Sequence, residues 1–425
     1  MKLDYQTYRD KVQGCWEGKN IGGVLGAPFE GKRQLNYVDF YTQDLSCGIP
    51  ANDDLDLQII WLSAVEKFGR GVTASILGEY WLTFETANMG EYGIAKSNLR
   101  AGLEPPLSGV AENPLKTSNG SFIRSEIWAC LAPGHPEIAA RYAREDAIVD
   151  HEGEGVFAEV FFAAMESAAF VESDIRGLID IGLSYIPEES ATARGIRMAV
   201  ECYERGIAPE EARLQLHNAM PGTFGISGLP NSRIPAVGGE GMEIGVEGFD
   251  APENVAFMIA ALLYGEYDFG KSLCTAVLFG EDTDCTAATL GALLGILSGS
   301  SGLPRKWKEP LNDKIETLCI NRANWGVWVP RTCTELTESY LRAIEKKNPV
   351  LNAYVKVTPE EALSAAKRVD EKLAAGEPLA PLEGIPMALK DNLSTKGLET
   401  TCCSKILKGY VPIYDATVWA ELKRK

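Results

Sequence analysis

The chain has 425 residues and a formal net charge of -18 at pH 7, which argues against a general nucleic-acid-binding or anionic membrane-binding surface. With 45% hydrophobic residues, it is long enough for one large domain and a smaller one. Its ten cysteines show no CxxC or Cys/His metal spacing, so reduced thiols are expected. The N-terminus lacks an apolar signal core, and the longest apolar runs, such as Ala256 to Tyr264, are about half a membrane span. We therefore predict a cytoplasmic protein without membrane segments.

The first 330 residues are predicted to be mostly helical. Apolar residues recur at spacings of three and four over Asp54–Phe68, Gly155–Phe170 and Ala251–Tyr264, which is the pattern of amphipathic helices. Alternating patterns typical of strands are rare in this part. Two stretches rich in Gly and Pro, Glu104–Gly109 and Pro221–Gly248, are predicted to be long loops, which are often functional in compact domains.

Two acidic segments, more than two hundred residues apart, each precede an apolar helical stretch. Asn52–Asp56 precedes the first predicted helix, and Gly280–Asp284 precedes Ala287–Leu297. Carboxylates favour helix N-termini, so two unrelated capped helices would explain both segments. If the fold brings the segments together, their like charges repel unless a cation lies between them. Carboxylate ligands of this kind suit Mg²⁺, Mn²⁺ or Ca²⁺.

Small residues recur at every fourth position of the later helix, at Ala287, Gly291, Gly295 and Gly299. Residues four apart lie on one face of a helix. A face without bulky side chains lets another helix backbone approach closely, which predicts a central helix of a packed bundle.

The sequence changes character after Pro330. Glu335–Asn348 and Pro359–Ala375 are predicted to be charged amphipathic helices, and a Pro/Gly turn then leads into a short predicted strand, Ile385–Leu389. The predicted domains are residues 1–334 and 335–425.

Several motifs before residue 330 carry a family resemblance. A glycine-rich helix ends in Gly-Ala-Pro-Phe-Glu at residues 26–30. Residues 52–56 stand where ADP-ribosylglycohydrolases have Thr-Asp-Asp-Thr, and residues 280–284 look like their Gly-Gly-Asp-Thr-Asp signature. Shorter segments that match in the same order are residues 119–121, 132–136 and 150–155. Roughly residues 8–330 therefore resemble an ADP-ribosylglycohydrolase.

The resemblance implies an all-α, orthogonal multi-helix bundle with two Mg²⁺ or Mn²⁺ ions at the bottom of an ADP-ribose cleft. It implies a metal-dependent hydrolase that cleaves the glycosidic bond of an ADP-ribosylated or related ribosyl substrate. Two close cations can hold ribose hydroxyls, and a carboxylate can deprotonate the attacking water. By position, the expected metal ligands are Asn52, Asp53, Asp54, Asp282, Asp284 and Cys285. The expected catalytic residues are Glu30 and Asp54, and the expected substrate-binding residues are Asn119, Gly120, Ser121 and His151.

Three positions depart from the family pattern. Asn52 replaces a ligand threonine, although its amide oxygen could still coordinate a cation. Leu55 replaces another threonine and cannot coordinate one. Cys285 stands where many members have a ligating threonine, and a thiol is a poor partner for Mg²⁺. A non-catalytic protein that binds ADP-ribose therefore stays open as an alternative.

The histidines are weak signals. His151, beside Asp150, matches a family position that is often a histidine near the cleft, but a solvated helix start explains it about as well. His135 is predicted to be a turn residue, and His217 receives no role.

The tail resembles a different family. Residues 335–422 look like the start of an amidase-signature enzyme and, more specifically, resemble the glutamyl-tRNA(Gln) amidotransferase component that carries the amidase fold. The segments that carry this resemblance are residues 335–341, 352–355, 381–392, 395–402 and 411–417. The resemblance implies that Lys390 is the base of a Ser–cis-Ser–Lys triad, with its pKa lowered by burial. Both serines would lie beyond residue 425, so a small, catalytically incomplete α/β fragment is expected, and a fusion or a fragment of that amidotransferase remains a third interpretation of the chain.

Overall fold

The computed structural model describes residues 3–46, 48–88, 90–220, 249–311, 314–321, 345, 354, 356–380 and 382–424. The chain divides into two compact units, Met1–Val327 and Trp328–Lys425. Among the described residues of the first unit, β-pairing is confined to isolated bridges. Its helices are α1 (Tyr5–Gly26), α2 (Asp56–Phe68), α3 (Ala74–Phe84), α4 (Gly90–Arg100), α5 (Leu107–Val110), α6 (Ser125–Leu131), α7 (Pro136–Ala147), α8 (Glu154–Ala169), α9 (Ile175–Leu183), α10 (Ala191–Glu204), α11 (Pro209–Ala219), α12 (Ala251–Tyr264), α13 (Phe269–Phe279), α14 (Thr283–Ser298) and α15 (Arg305–Lys308).

The predicted all-α class of this unit is confirmed, and so are the helices expected from apolar spacing. The predicted helix over 54–68 begins instead as a 3₁₀ turn, Asp53–Leu55, which continues into α2. The loop predicted over 104–109 is wrong at its end, because α5 begins at Leu107. The predicted loop 221–248 lies outside the described residues.

The closest helix packing in the unit is between α1 and α14. A Cβ added to Gly18 would lie 2.7 Å from the carbonyl carbon of Gly291, and one added to Gly22 would lie 2.6 Å from the backbone nitrogen of Ala288. Side-chain carbons do not approach backbone atoms this closely, so glycine is required along this face of α1. The small-residue face predicted on α14 thus meets a matching glycine face on α1.

Three further helices form the interior around this pair. α8, α12 and α14 are buried over nearly their whole lengths, which is the pattern of helices surrounded by other elements. Large aromatic side chains such as Trp61, Trp81 and Trp128 fill the space toward the outer helices. No helix among the described residues is both long and apolar enough to cross a lipid bilayer.

In the second unit the described residues form two α-helices, α16 (Pro359–Ala374) and α17 (Thr417–Leu422). The first confirms a predicted helix, whereas nearly all of the predicted helix 335–348 lies outside the described residues. The predicted strand over 385–389 is wrong, because these residues pair with no other segment in the described part of the chain. A strand forms only with a partner that satisfies its backbone groups.

Apolar side chains of the second unit remain in solvent. Ile406 is 93% exposed and Ile413 is 86% exposed. The unit therefore buries little core among its described residues, as expected for a short piece of a larger fold.

Candidate metal centre

The α1–α14 contact brings both acidic segments to one place. Glu30 follows the short 3₁₀ turn Ala27–Phe29 at the end of α1, while Asp282 and Asp284 lie at the start of α14. Glu30, Asp282 and Asp284 each offer a ligand atom within 4.8 Å of the others. Asp54 meets Asp284 and Cys285 in a second group with the same spacing. Asp284 belongs to both groups, so the described geometry contains two adjoining places for a cation.

The turn that carries Asp54 is fixed by local hydrogen bonds. The Asn52 side-chain oxygen accepts from the Asp54 backbone N–H at 2.7 Å and caps the 3₁₀ turn. The Asp56 carboxylate accepts from the backbone N–H groups of Leu318, at 2.8 Å, and Cys319. A short segment from near the end of the first unit, residues 316–321, thus holds the first acidic segment in place. Asn52 and Asp53 belong to neither donor group, although both were predicted as ligands, and their coordination remains a prediction.

Negative charge is poorly compensated at this site. Burial, then the nearby Asp53 and Asp282 carboxyls, raise the pKa of Asp54 to about 8, although Lys19 opposes this rise. Burial and repulsion by Asp282 raise the pKa of Glu30, at the exposed rim, to about 7. Burial and repulsion raise the pKa of Asp284 as well. A divalent cation would remove this repulsion by stabilising the ionised carboxylates.

Several buried oxygens at the site lack a hydrogen-bond donor among the described residues. They are Asp54 Oδ2, Asp282 Oδ1, Asp284 Oδ1 and Asn119 Oδ1. Buried polar atoms without partners are rare in folded proteins and usually indicate a missing water or ion. Because all four are oxygens, the set fits hard divalent cations such as Mg²⁺ or Mn²⁺.

A buried lysine lies beside the acidic cluster. The Lys19 ammonium donates to Glu126 Oε1 at 2.8 Å, and both side chains are fully buried. Burial lowers the pKa of Lys19, but the carboxyls of Glu126 and Asp54 outweigh it and raise the pKa to about 12. Gln58 donates to the second oxygen of Glu126 at 2.9 Å and to the Asp54 carbonyl at 3.3 Å. This network supports Asp54 from the protein side.

Glu281 anchors the turn before Asp282. Its backbone adopts a φ of 68°, a conformation that costs a side-chain-bearing residue about 1 kcal/mol. The Arg33 Nε lies 2.6 Å from one Glu281 oxygen, and Arg213 lies 3.4 Å from the other. Gly31 N–H also donates to the Glu281 carbonyl at 2.9 Å. These bonds tie the turn that carries Glu30 to the turn that carries Asp282.

A third cluster of candidate ligands, His217, Glu253 and Glu281, is already paired with cationic side chains. The His217 imidazole lies 2.5 Å from Glu253, and Arg33 contacts both carboxylates. A metal ion there would meet guanidinium charge, so this cluster fits an internal ion-pair network rather than a metal site.

The predicted substrate-binding residues lie next to the metal ligands, but most have partners within the protein. The Asn119 amide donates to Asp282 Oδ2 at 2.6 Å, and the Ser121 hydroxyl donates to the Gly155 carbonyl at 2.6 Å. A Cβ on Gly120 would overlap the Glu91 carboxylate. Contact of these residues with a substrate remains a prediction.

His151 is fully buried and not a solvated helix start. Its Nδ1 lies 2.8 Å from Asp150 Oδ1 and its Nε2 lies 3.0 Å from the Ser118 hydroxyl. Asp150 in turn pairs with Arg124 at 2.8 Å. The imidazole is therefore held in one orientation by a buried chain of polar groups.

Some supporting residues escaped sequence reasoning. Lys19 gave a usable signal, because it is a charged residue on a glycine-rich helix face. Glu281 gave another, since it occupies a glycine position of the family signature. Glu126 gave none, because its partner is 107 residues away in sequence.

A helical bundle with converging carboxylates at one helix pair defines a hydrolase class of cation-binding proteins, and the family comparison gives the class its name. The ADP-ribosylglycohydrolase family model matches residues 4–341. The chain belongs to the ADP-ribosylglycohydrolase family. An Amidase family model matches residues 335–425, so residues 335–341 are matched by both.

The curated relatives found match the tail, and they are A-type components of glutamyl-tRNA(Gln) amidotransferases. The one from Geobacter metallireducens is 56% identical over 89 residues, which are 21% of this chain and 18% of that protein. The one from Xanthobacter autotrophicus is 52% identical over 112 residues, 26% of this chain and 22% of that protein. The chain thus spans about a fifth of the length of the curated relatives it matches.

Among solved structures, a chain of an "ADP-ribosylglycohydrolase-related protein complex" is 19% identical, with a TM-score of 0.47. The alignment covers 72% of this chain and 93% of that chain.

Proposed function

We propose that this protein is a divalent-cation-dependent hydrolase that cleaves the glycosidic bond of an ADP-ribosylated or related ribosyl substrate. The observation that carries the proposal is the meeting of two acidic segments whose buried carboxylate oxygens lack donors among the described residues. Family membership supplies the reaction class. Mg²⁺ or Mn²⁺ is the cation that the all-oxygen group Glu30, Asp282 and Asp284 favours.

The residues divide into two roles under this proposal. When bound, two divalent cations supply positive charge that orients ribose hydroxyls and favours ionisation of water. Asp54, Asp282 and Asp284 hold that charge from the buried side. Asn119 orients Asp282 through its 2.6 Å hydrogen bond.

Glu30 is the proposed general base. It lies at the exposed rim while its partners Asp282 and Asp284 are buried, so its carboxylate is the one that can reach a substrate. Glu30 accepts a proton from the attacking water as the bond between the anomeric carbon and the acceptor breaks, and the acceptor leaves with a proton. Asp54, buried beside Lys19, keeps the opposite side of the centre ionised once a cation is bound.

Turnover of a substrate panel tests the proposal. The full chain should release ADP-ribose from at least one ADP-ribosylated arginine, serine, nucleic-acid or small-molecule substrate in the presence of Mg²⁺ or Mn²⁺. Chelator should stop the release, and excess cation should restore it. Binding of ADP-ribose with no release from any substrate would instead support a non-catalytic ADP-ribose-binding protein.

The tail is proposed to have no amidase activity. A lysine base needs burial to lower its pKa toward neutrality, but Lys390 is exposed. Asp391 beside it serves the local chain, since its carboxylate accepts the backbone N–H groups of Thr401, at 2.9 Å, and Cys403, at 3.1 Å.

Truncation after Pro330 is expected to leave the glycohydrolase activity and the thermal midpoint of the first unit nearly unchanged. The shortened chain keeps residues 316–321, which bind the Asp56 carboxylate. Release of ADP-ribose and thermal unfolding measure the two properties. Glutaminase activity in the full chain that Lys390→Ala abolishes would overturn the expectation of a silent tail. Failure of the truncated chain to fold would show that the tail is part of the domain.

A further inference from the structure

The two donor groups that share Asp284 differ in chemistry. Glu30, Asp282 and Asp284 offer three carboxylate oxygens, whereas Asp54, Asp284 and Cys285 offer two oxygens and one sulfur. The Cys285 thiol points into its group, because its Sγ donates to Asp54 Oδ1 at 3.4 Å. Asp284 and Cys285 are consecutive residues in the first turn of α14, so the helix start presents both kinds of donor.

The sulfur-containing group shows a second sign of a missing ligand. Asp54 is 2% exposed and Asp284 is 6% exposed, and each has an oxygen without a hydrogen-bond donor among the described residues. Lys19, the cation beside Asp54, is bound to Glu126 at 2.8 Å. Two buried carboxylates and a thiol facing one another leave room for a cation that accepts both oxygen and sulfur.

We propose that the centre has two cation positions of unequal softness, and that the Asp54–Asp284–Cys285 position takes a thiophilic divalent ion such as Zn²⁺. The Glu30–Asp282–Asp284 position takes Mg²⁺ or Mn²⁺. Sulfur and carboxylate oxygen are ordinary Zn²⁺ ligands, whereas Mg²⁺ strongly prefers oxygen. The assignment rests on the proposed function in that both concern the same centre.

Cation binding at this position breaks the Cys285 S–H bond and forms a sulfur–metal bond, and the proton goes to solvent. The hydrogen bond from the thiol to Asp54 Oδ1 is lost in the same step. Asp54 Oδ1 is thereby freed for the same cation. The thiol and the carboxylate thus change from partners of each other into common ligands.

Cd²⁺ is a suitable probe, because sulfur ligation produces an ultraviolet charge-transfer band that oxygen ligation does not. The experiment uses the full chain with Cys402→Ser and Cys403→Ser, because these two thiols are exposed and would bind Cd²⁺ themselves. The band should saturate on titration and disappear in Cys285→Ser. Cys274→Ser is the matched control, since Cys274 is also half-buried but belongs to no candidate ligand group among the described residues, and it should retain the band.

Calorimetry gives an independent readout. Cys285→Thr supplies a harder oxygen donor, so we expect it to bind Zn²⁺ about tenfold or more weakly and Mg²⁺ more tightly than the parent. Equal Cd²⁺ spectra and equal Zn²⁺ affinities in the parent and both Cys285 variants, with folding checked by circular dichroism, would overturn the proposal. Sulfur-dependent binding without hydrolysis of any ADP-ribosyl substrate would leave this inference standing and reject the proposed function.

Discussion

Asp284→Ala is expected to abolish tight divalent-cation binding and to lower hydrolysis by at least about 100-fold, since even residues that only support metal ligands change affinity or activity by about 10–100-fold. The large effect follows from geometry, because Asp284 belongs to both donor groups and its loss removes a ligand from each cation position. Calorimetric titration with Mn²⁺ and release of ADP-ribose measure the two effects. Asp180→Ala, at an exposed position of α9, is the matched control and should change neither.

The same substitution is expected to stabilise the protein in the absence of cations. Burial and repulsion by Asp282 and Asp54 raise the pKa of the Asp284 carboxyl in the folded chain. A carboxyl with a raised pKa binds its proton more tightly when folded, so the parent loses stability as pH rises above the unfolded value near 4. The thermal midpoint of the metal-free variant should therefore exceed that of the parent by a margin that grows between about pH 5.5 and about pH 8.

Two outcomes would count against this mechanism. One is full activity of either protein in excess chelator. The other is an unchanged Mn²⁺ affinity in the Asp284 variant, which would place the cation elsewhere.

Gly18→Ala is expected to destabilise the first unit by about 2 kcal/mol or more. Alanine is the better helix former by about 1 kcal/mol, but its Cβ would lie 2.7 Å from the Gly291 carbonyl carbon. The helices α1 and α14 must then move apart along their closest contact, because neither neighbouring backbone can rotate away. Chemical or thermal unfolding measures the loss.

The matched control is Gly177→Ala in α9. There the nearest atom to an added Cβ is Oδ2 of the Asp174 side chain, at 3.1 Å, and that side chain can adjust. This variant should keep the stability of the parent or gain slightly. Gly18→Ala should also bind Mn²⁺ more weakly, because α1 precedes Glu30 and α14 carries Asp284. Equal behaviour of the two variants would show that the glycine contact does not set the helix spacing.

The local sequence was sufficient to predict most elements that its own chemistry stabilises. Apolar spacing predicted α8 and α12 within a residue or two, because a helix buries a face whose period is local. The predicted strand at 385–389 was wrong for the complementary reason. Its backbone hydrogen bonds depend on a partner segment that the local pattern does not contain.

For the site, the sequence alone determined which residues carry the chemistry. Two acidic helix starts and a glycine-rich helix, read together with the family resemblance, indicated the carboxylates that the structure brings together. The sequence also placed Cys285 beside Asp284, and the contrast between sulfur and oxygen ligands follows from residue identity.

Only the tertiary structure decided how those residues meet. The glycine contact of α1 with α14 sets Glu30 against Asp282 and Asp284, over more than 250 positions of chain, and no local pattern encodes such a distance. Burial decided the rest, since the same network of Lys19 and Glu126 on a surface would be screened by water and would leave Asp54 nearly unaffected. The carboxylates come from the sequence, whereas their crowding, their lack of donors among the described residues and their fitness for cations come from packing.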